Sequence, residues 1–221
     1  MCGRFEFIPP SHGLPGRWVP LAKARYNIAP GQDIDVLLGE STGAQHAVVR
    51  WGLIPSWAKE ASVGYRMINA RSETAATKPA FRAAMKARRA LIVATGYYEW
   101  QGMAAGPKQP WHFTLPGHDW FAFAGLWERW TSAEGEVIQS ATILTCDANR
   151  LQAPVHDRMP VILGRDDHAR WLDPATSVAD ASALLVPYAA SMVRAPVSTV
   201  VNSPRHDGPD CVEAVGPSVE G

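Results

Sequence analysis

ALIVATGYYEW, residues 90–100, is the strongest strand signal in the chain. It is apolar, rich in β-branched and aromatic side chains, and closes on a single carboxylate. Working outward, further strands are expected near 110–115 (PWHFTL), 120–126 (WFAFAGL) and 137–145, with turns at 116–119 and 132–136. RMPVILG (158–164) and APVSTVVN (195–202) read as two more. Upstream, residues 2–8 alternate and carry aromatics, 26–32 is extended around a proline, and 33–39 and 46–52 are strands flanking the turn at 41–43. PPSHGLPG (9–16) is a turn-rich loop, and 54–60 is a loop leading into a short helical turn. Short helices are expected over 17–25, 79–88, 165–173 and 177–185, with a helical turn at 147–153. The sum is an α+β, strand-rich single domain over 1–211, with 212–221 as a frayed tail. There is no βαβ rhythm and no G-x-G-x-x-G, which disfavours a Rossmann-type nucleotide site.

Composition narrows the function. The 221 residues are 47% hydrophobic, enough for one substantial core, and include nine Trp, some of which can serve as stacking platforms. Net charge is zero, so overall charge gives no support for a nucleic-acid partner and any anion site must be local. Three widely spaced cysteines (Cys2, Cys146 and Cys211) without a C-x-x-C argue against a disulfide framework and against zinc. No metal and no cofactor is expected. No apolar stretch after the N-terminus suits a signal peptide, and none approaches a membrane span. A monomeric, cytoplasmic protein with no membrane partner is the expectation.

Cys2 follows the initiator methionine. A small second residue permits removal of Met1, leaving an α-amine and a thiol on one residue. Their reference pKa values, ~7.7–8.0 and ~8.5, keep both partly nucleophilic near neutrality. Such a 1,2-aminothiol condenses with an aldehyde to an imine and then closes to a five-membered thiazolidine. An internal cysteine cannot, because its nitrogen is an amide. Against this stands the simpler reading of a buried cysteine.

Three other segments bring chemistry together. Residues 69–74 place Asn69, Arg71 and Glu73 ahead of a helix, as a site or as a capping segment. Glu99 ends the apolar strand among aromatics, either desolvated and suited to proton transfer or facing water at an edge. His156, Asp157 and Arg158 lie between prolines, where a His–Asp pair can shuttle protons or be purely structural. Arg4, Arg71, Lys78, Arg82 and Arg158 could converge on phosphates, although Lys78 and Arg82 taken singly read as solvated surface charge.

Taken together, MCGRF (1–5), YNIAP (26–30), WGLIPSW (51–57), NARSET (69–74), GYYEW (96–100), AGLWE (124–128), TILTCDAN (142–149), HDRMP (156–160) and VNSP (201–204) resemble, in order, the SOS-response-associated peptidase (SRAP) family. The resemblance implies a β-barrel-like core of hairpins surrounded by short helices. It implies an abasic-site sensor that binds single-stranded DNA and joins Cys2 to the ring-opened deoxyribose as a thiazolidine. It assigns Asn69 to orient Cys2, Glu99 to acid–base work and His156 to proton transfer and crosslink reversal. It makes Arg71 and Arg158 phosphate clamps with Arg4 near them, and places Asn27, Pro30 and Trp57 in segments that line the DNA path; Lys78, Arg82 and Thr145 complete the expected DNA-binding set. Ala94 stands where the family commonly has Pro, and the stretch before YNIAP is short. Alternatives are a cysteine hydrolase acting on peptides or on its own N-terminus, with Cys2 as nucleophile and His156 as base, or a non-catalytic single-strand-binding module.

Overall fold

The computed structural model describes residues 2–10, 23–40 and 43–221. Along the first part run β1 (Arg4–Phe7), β2 (Arg25–Ile28), β3 (Asp33–Glu40), β4 (Gly43–Trp51) and β5 (Asn69–Arg71), then helices α1 (Ser72–Ala75) and α2 (Arg82–Ala87). Next come β6 (Arg89–Ala94), β7 (Gly96–Gln101), β8 (Gln109–Thr114), β9 (Phe121–Thr131), β10 (Val137–Asp147), β11 (Arg158–Pro160) and β12 (Ile162–Leu163). Helices α3 (His168–Leu172) and α4 (Val178–Ser182) and strands β13 (Val193–Pro196) and β14 (Val219–Glu220) follow.

The 90–100 run breaks at Thr95, and that break organises the molecule. β6, buried throughout, pairs with β3 and β9. β3 pairs with β4, β4 runs parallel to β10 through Ser140↔Arg50, and β10 returns to β9. The circuit β10–β4–β3–β6–β9 closes on itself, which is the expected barrel core. β7 leaves the barrel for a second, antiparallel sheet in the order β14–β13–β8–β7–β1–β2. At the crossing, the Thr95 amide donates to the Glu6 carbonyl at 3.0 Å and Thr95 Oγ1 accepts from the Ile8 amide at 3.2 Å. Gly96 is required there: a Cβ would stand 2.2 Å from His112 Nε2 and 2.6 Å from Glu6 Oε1.

An aromatic plug joins the two sheets. Phe5 of β1 meets Trp51 of β4 edge-on with ring centroids 5.1 Å apart, and Phe123 of β9 at 5.8 Å. Tyr97 of β7 stacks on Phe113 of β8 at 4.9 Å and meets Phe123 at 5.9 Å. All five are essentially inaccessible to solvent. Truncating a buried aromatic to Ala typically costs about 3–5 kcal/mol, so the plug pins β1, and with it Cys2, against the barrel.

Several element boundaries differ from expectation for tertiary reasons. The 158–164 segment is two strands: β11 pairs with β10, β12 with β9, and Val161 bridges them through its amide to Leu144 and its carbonyl to Ala124. The last expected strand is β13, shifted to Val193–Pro196, and residues 199–202 form a 3-10 turn started by the Ser198 hydroxyl. The helix expected over 79–88 is shortened to α2. Of the helix expected over 17–25, residues 17–22 lie outside the described residues, and Arg25 already belongs to β2. The loop at 9–16 and the turn at 41–43 also fall largely outside them. The expected tail is placed on the sheet edge: β14 pairs with β13, and Gly221 exchanges two hydrogen bonds with Met192.

Candidate functional site

The site forms where β1 begins. β1 lies antiparallel to β7 with Arg4 opposite Tyr98. Continuing that register sets Cys2 and Gly3 beside the Glu99–Trp100 end of β7. The four residues singled out as reactive come from four segments.

Cys2 is fully buried. Its Sγ points at the Arg4 carbonyl at 3.7 Å. Burial, and secondarily the negative charge of Glu99, pushes its thiol well above the ordinary cysteine range. The same two neighbours, Cys2 and Glu99, add to burial in raising the Tyr97 phenol. Cys2, Tyr97 and Glu99 are therefore electrostatic neighbours.

Asn69 opens β5, which runs parallel to β10 with Asn69 opposite Ile143. Its Nδ2 donates to the Cys2 carbonyl at 2.7 Å, fixing the backbone of the reactive residue. Its Oδ1 is buried with no hydrogen-bond partner among the described residues, leaving an acceptor beside Cys2. Glu99 is 4% exposed, and its Oε1 accepts weakly from the Trp100 amide at 3.4 Å.

His156 sits after the helical turn at 149–155, in which Asn149 Oδ1 caps the Gln152 amide. Two partners compete for His156 Nδ1: the Arg158 amide at 3.0 Å and Asp157 Oδ1 at 2.8 Å. The amide can only donate and needs a lone pair on that nitrogen, whereas the carboxylate needs a hydrogen. The tautomer of the ring therefore decides which of the two partners Nδ1 satisfies.

The phosphate set divides. Arg71, Lys78 and Arg82 are exposed. Arg158 is buried and its guanidinium is already occupied: Nη1 and Nη2 grip Glu73 at 2.7 and 2.9 Å, Nη1 also reaches Asp147 at 2.6 Å, and Nη2 the Thr145 carbonyl at 2.7 Å. That pairing draws the Glu73 carboxyl down. Arg158 is thus a brace between β10, β11 and α1 rather than an open phosphate clamp.

Thr145 also departs from its expected place on the DNA path, since it is fully buried within β10. Asn27 departs too. It is 1% exposed, and its Nδ2 donates to the carbonyls of Val201, Ser203 and His206 while Oδ1 accepts from Arg4. Arg4 adds bonds to the Val201 and Asn202 carbonyls. Arg4 and Asn27 therefore moor residues 201–206 beside the site.

Pro30 is half-exposed and Trp57 is 63% exposed. The Trp57 loop is anchored by Ala58, whose amide bonds the Pro55 carbonyl and whose carbonyl accepts from Trp130 Nε1 at 2.7 Å. Two residues escaped the sequence reading. Tyr65 is exposed beneath the Arg50 guanidinium, 4.9 Å from its ring centre, and packs against Gly31. Gln152, fully buried, links Tyr97 Oη to the Arg158 carbonyl. Tyr65 had an aromatic signal to find; Gln152 had none.

A closed barrel with Cys2 just ahead of its first strand, its carbonyl held by an asparagine and a buried glutamate nearby, defines a narrow class of domain. The SOS response associated peptidase (SRAP) model matches residues 1–204, and the chain belongs to that family. "Abasic site processing protein YoqW" of Bacillus subtilis (strain 168) is 37% identical, over 97% of this chain and all of its own length. "Abasic site processing protein YoaM" of the same organism is 40% identical, over 97% and 98%. "Abasic site processing protein HMCES" of Xenopus tropicalis is 34% identical, over 86% of this chain and 66% of its own. A crystal structure of a Bacteroides thetaiotaomicron protein superposes with a TM-score of 0.79 at 28% identity, covering 88% of this chain and 87% of that one.

Proposed function

We propose that this protein processes abasic sites in single-stranded DNA by forming a thiazolidine between Cys2, exposed by loss of Met1, and the aldehyde of the ring-opened deoxyribose. The amine adds to C1′ and water leaves, giving an imine. The thiol then adds across the C=N bond, its sulfur joining carbon and its proton passing to nitrogen. The net change is loss of one water. Glu99 relays protons during ring opening and imine formation, Asn69 holds the Cys2 carbonyl, and His156 exchanges protons on formation and reversal. Arg71, Lys78 and Arg82 supply charge to the backbone, and Trp57 a face for a base.

The observation that supports this reading is the Asn69–Cys2 hydrogen bond, which fixes the backbone of Cys2 close to buried Glu99. A peptidase using a Cys2–His156 pair is less well supported. Burial and Glu99 disfavour a resting thiolate, and Sγ faces the Arg4 carbonyl. The family relatives named for abasic-site processing support the same direction. Intact-mass analysis tests it. The purified chain should lack Met1 and, with an abasic oligonucleotide, gain the oligonucleotide mass less one water. A heat-stable adduct of that mass from Cys2→Ala would overturn the mechanism.

A further inference from the structure

A second cluster lies beyond residue 204, outside the stretch that the family model matches. Residues 203–212 turn tightly: the His206 amide bonds the Ser203 carbonyl, the Cys211 amide bonds Gly208, and Pro209–Cys211 form a 3-10 turn. This brings a His206 ring nitrogen, an Asp210 carboxylate oxygen and Cys211 Sγ within 4.8 Å of one another. His206 Nε2 is 2.8 Å from both Asp210 oxygens. Gly208 leaves room for the convergence, since a Cβ there would stand 2.6 Å from Asp210 Oδ1 and 3.5 Å from His206 Nε2.

Cys211 supplies the independent observation. Its side chain is wholly buried against Tyr98, Val197 and Val201. Among the described residues its sulfur makes one long hydrogen-bond contact, 3.9 Å, to the His206 carbonyl. A buried sulfur with so weak a partner, facing an imidazole and a carboxylate, has the donor set of a borderline-soft divalent ion.

We propose that His206, Asp210 and Cys211 bind one divalent transition-metal ion of the zinc type, with solvent in the fourth position. Zinc bonds of about 2.3 Å to sulfur and 2.0–2.2 Å to nitrogen and oxygen place tetrahedral ligands roughly 3–4 Å apart, so a spread of at most 4.8 Å must contract by about 1 Å on binding. Binding releases the Cys211 thiol proton to solvent. It also replaces the His206–Asp210 hydrogen bond, because Nε2 must present a lone pair and carry the ring hydrogen on Nδ1. The ion would lock the segment that Asn27 holds through the His206 carbonyl at 2.7 Å, and which Arg4 holds through Val201 and Asn202. Metal occupancy would thus stiffen the support beneath the Cys2 end of β1.

The test uses the full chain, stripped with chelator and titrated with Co2+ as an optical probe. The wild type should bind one Co2+ per chain, show a thiolate-to-cobalt charge-transfer band, and lose it when Zn2+ is added. Cys211→Ser should abolish the band, while Cys2→Ala and Cys146→Ala retain it. Asp210→Asn and His206→Gln should each weaken Co2+ binding at least tenfold. No band in the wild type, or a band that survives Cys211→Ser, overturns the proposal. If circular dichroism shows Cys211→Ser unfolded, the other two variants decide: wild-type Co2+ affinity in both rejects the site.

Discussion

Cys2 is buried, and its thiol is held protonated by its surroundings. That suits a sequence in which the amine attacks first and the sulfur closes the ring afterwards, since the thiol need act only once an electrophilic imine stands beside it. Cys2→Ser and Cys2→Ala should therefore both yield an imine that borohydride traps, and neither should give an adduct that survives heating without reductant. Gel mobility after heating, with and without borohydride, reads both. Cys146 offers a contrasting thiol. Burial is the main force pushing it up to about 11, against the opposing pull of Arg158. A raised pKa means the neutral thiol dominates at all lower pH, with roughly one thiolate per thousand at pH 8. Alkylation of Cys146 by iodoacetamide in the folded protein should be slow at pH 8 and accelerate about tenfold per pH unit towards 11. Fast modification at pH 8, mapped by peptide mass, would show the site to be more open.

At the scale of elements, Arg158 changes the meaning of its segment. It holds Glu73 at the start of α1 and Asp147 at the end of β10, so one guanidinium fixes the ends of the two segments that carry Asn69 and His156. Arg158→Ala removes charged hydrogen bonds at a buried centre, each typically worth about 1.5–3 kcal/mol, discounted here because Glu73 and Asp147 are themselves solvated. The expected outcome is a loss of about 1–3 kcal/mol in chemical denaturation, with an unchanged salt dependence of DNA binding. A stable variant with a flattened salt slope would restore the clamp.

The same residue shows what a sequence leaves out. HDRMP was legible as a special segment, but Arg158 could point outward to phosphate or inward to Glu73, and only the pairing of β5 with β10 decides. Strand identity in 90–100 was likewise plain from its apolar run. Its division between two sheets was not, because the break depends on contacts of Thr95 and Gly96 with Glu6 and His112, far away in sequence. Asn69, beside Cys2, was found because a short motif carried it. The His206–Asp210–Cys211 cluster was missed because its spacing matches no familiar ligand pattern.

For the whole molecule, the question is how a chain of zero net charge would hold a polyanion. Barrel closure and the aromatic plug set the frame on which Arg71, Lys78 and Arg82 are displayed, exposed, at the end of β5, between α1 and α2, and at the start of α2. Arg4, by contrast, is engaged by Asn27 and two carbonyls, and Arg158 by carboxylates. If the three exposed cations each neutralise one phosphate of a single strand, each contributes about −0.7 to the slope of log K against log[salt], roughly −2 together. Trp57 contributes differently: stacking on a base is worth about 1–3 kcal/mol and is insensitive to salt. The two contributions therefore separate experimentally. Trp57→Ala should weaken binding to undamaged single strands while leaving the slope and the melting temperature unchanged, because the ring is exposed and its loop is anchored by Ala58. Arg71→Ala, Lys78→Ala and Arg82→Ala should each flatten the slope by about 0.7 and together bring it close to zero. Fluorescence anisotropy over a series of salt concentrations measures all of these. A triple variant that keeps the wild-type slope would move the phosphate path to another face of the barrel.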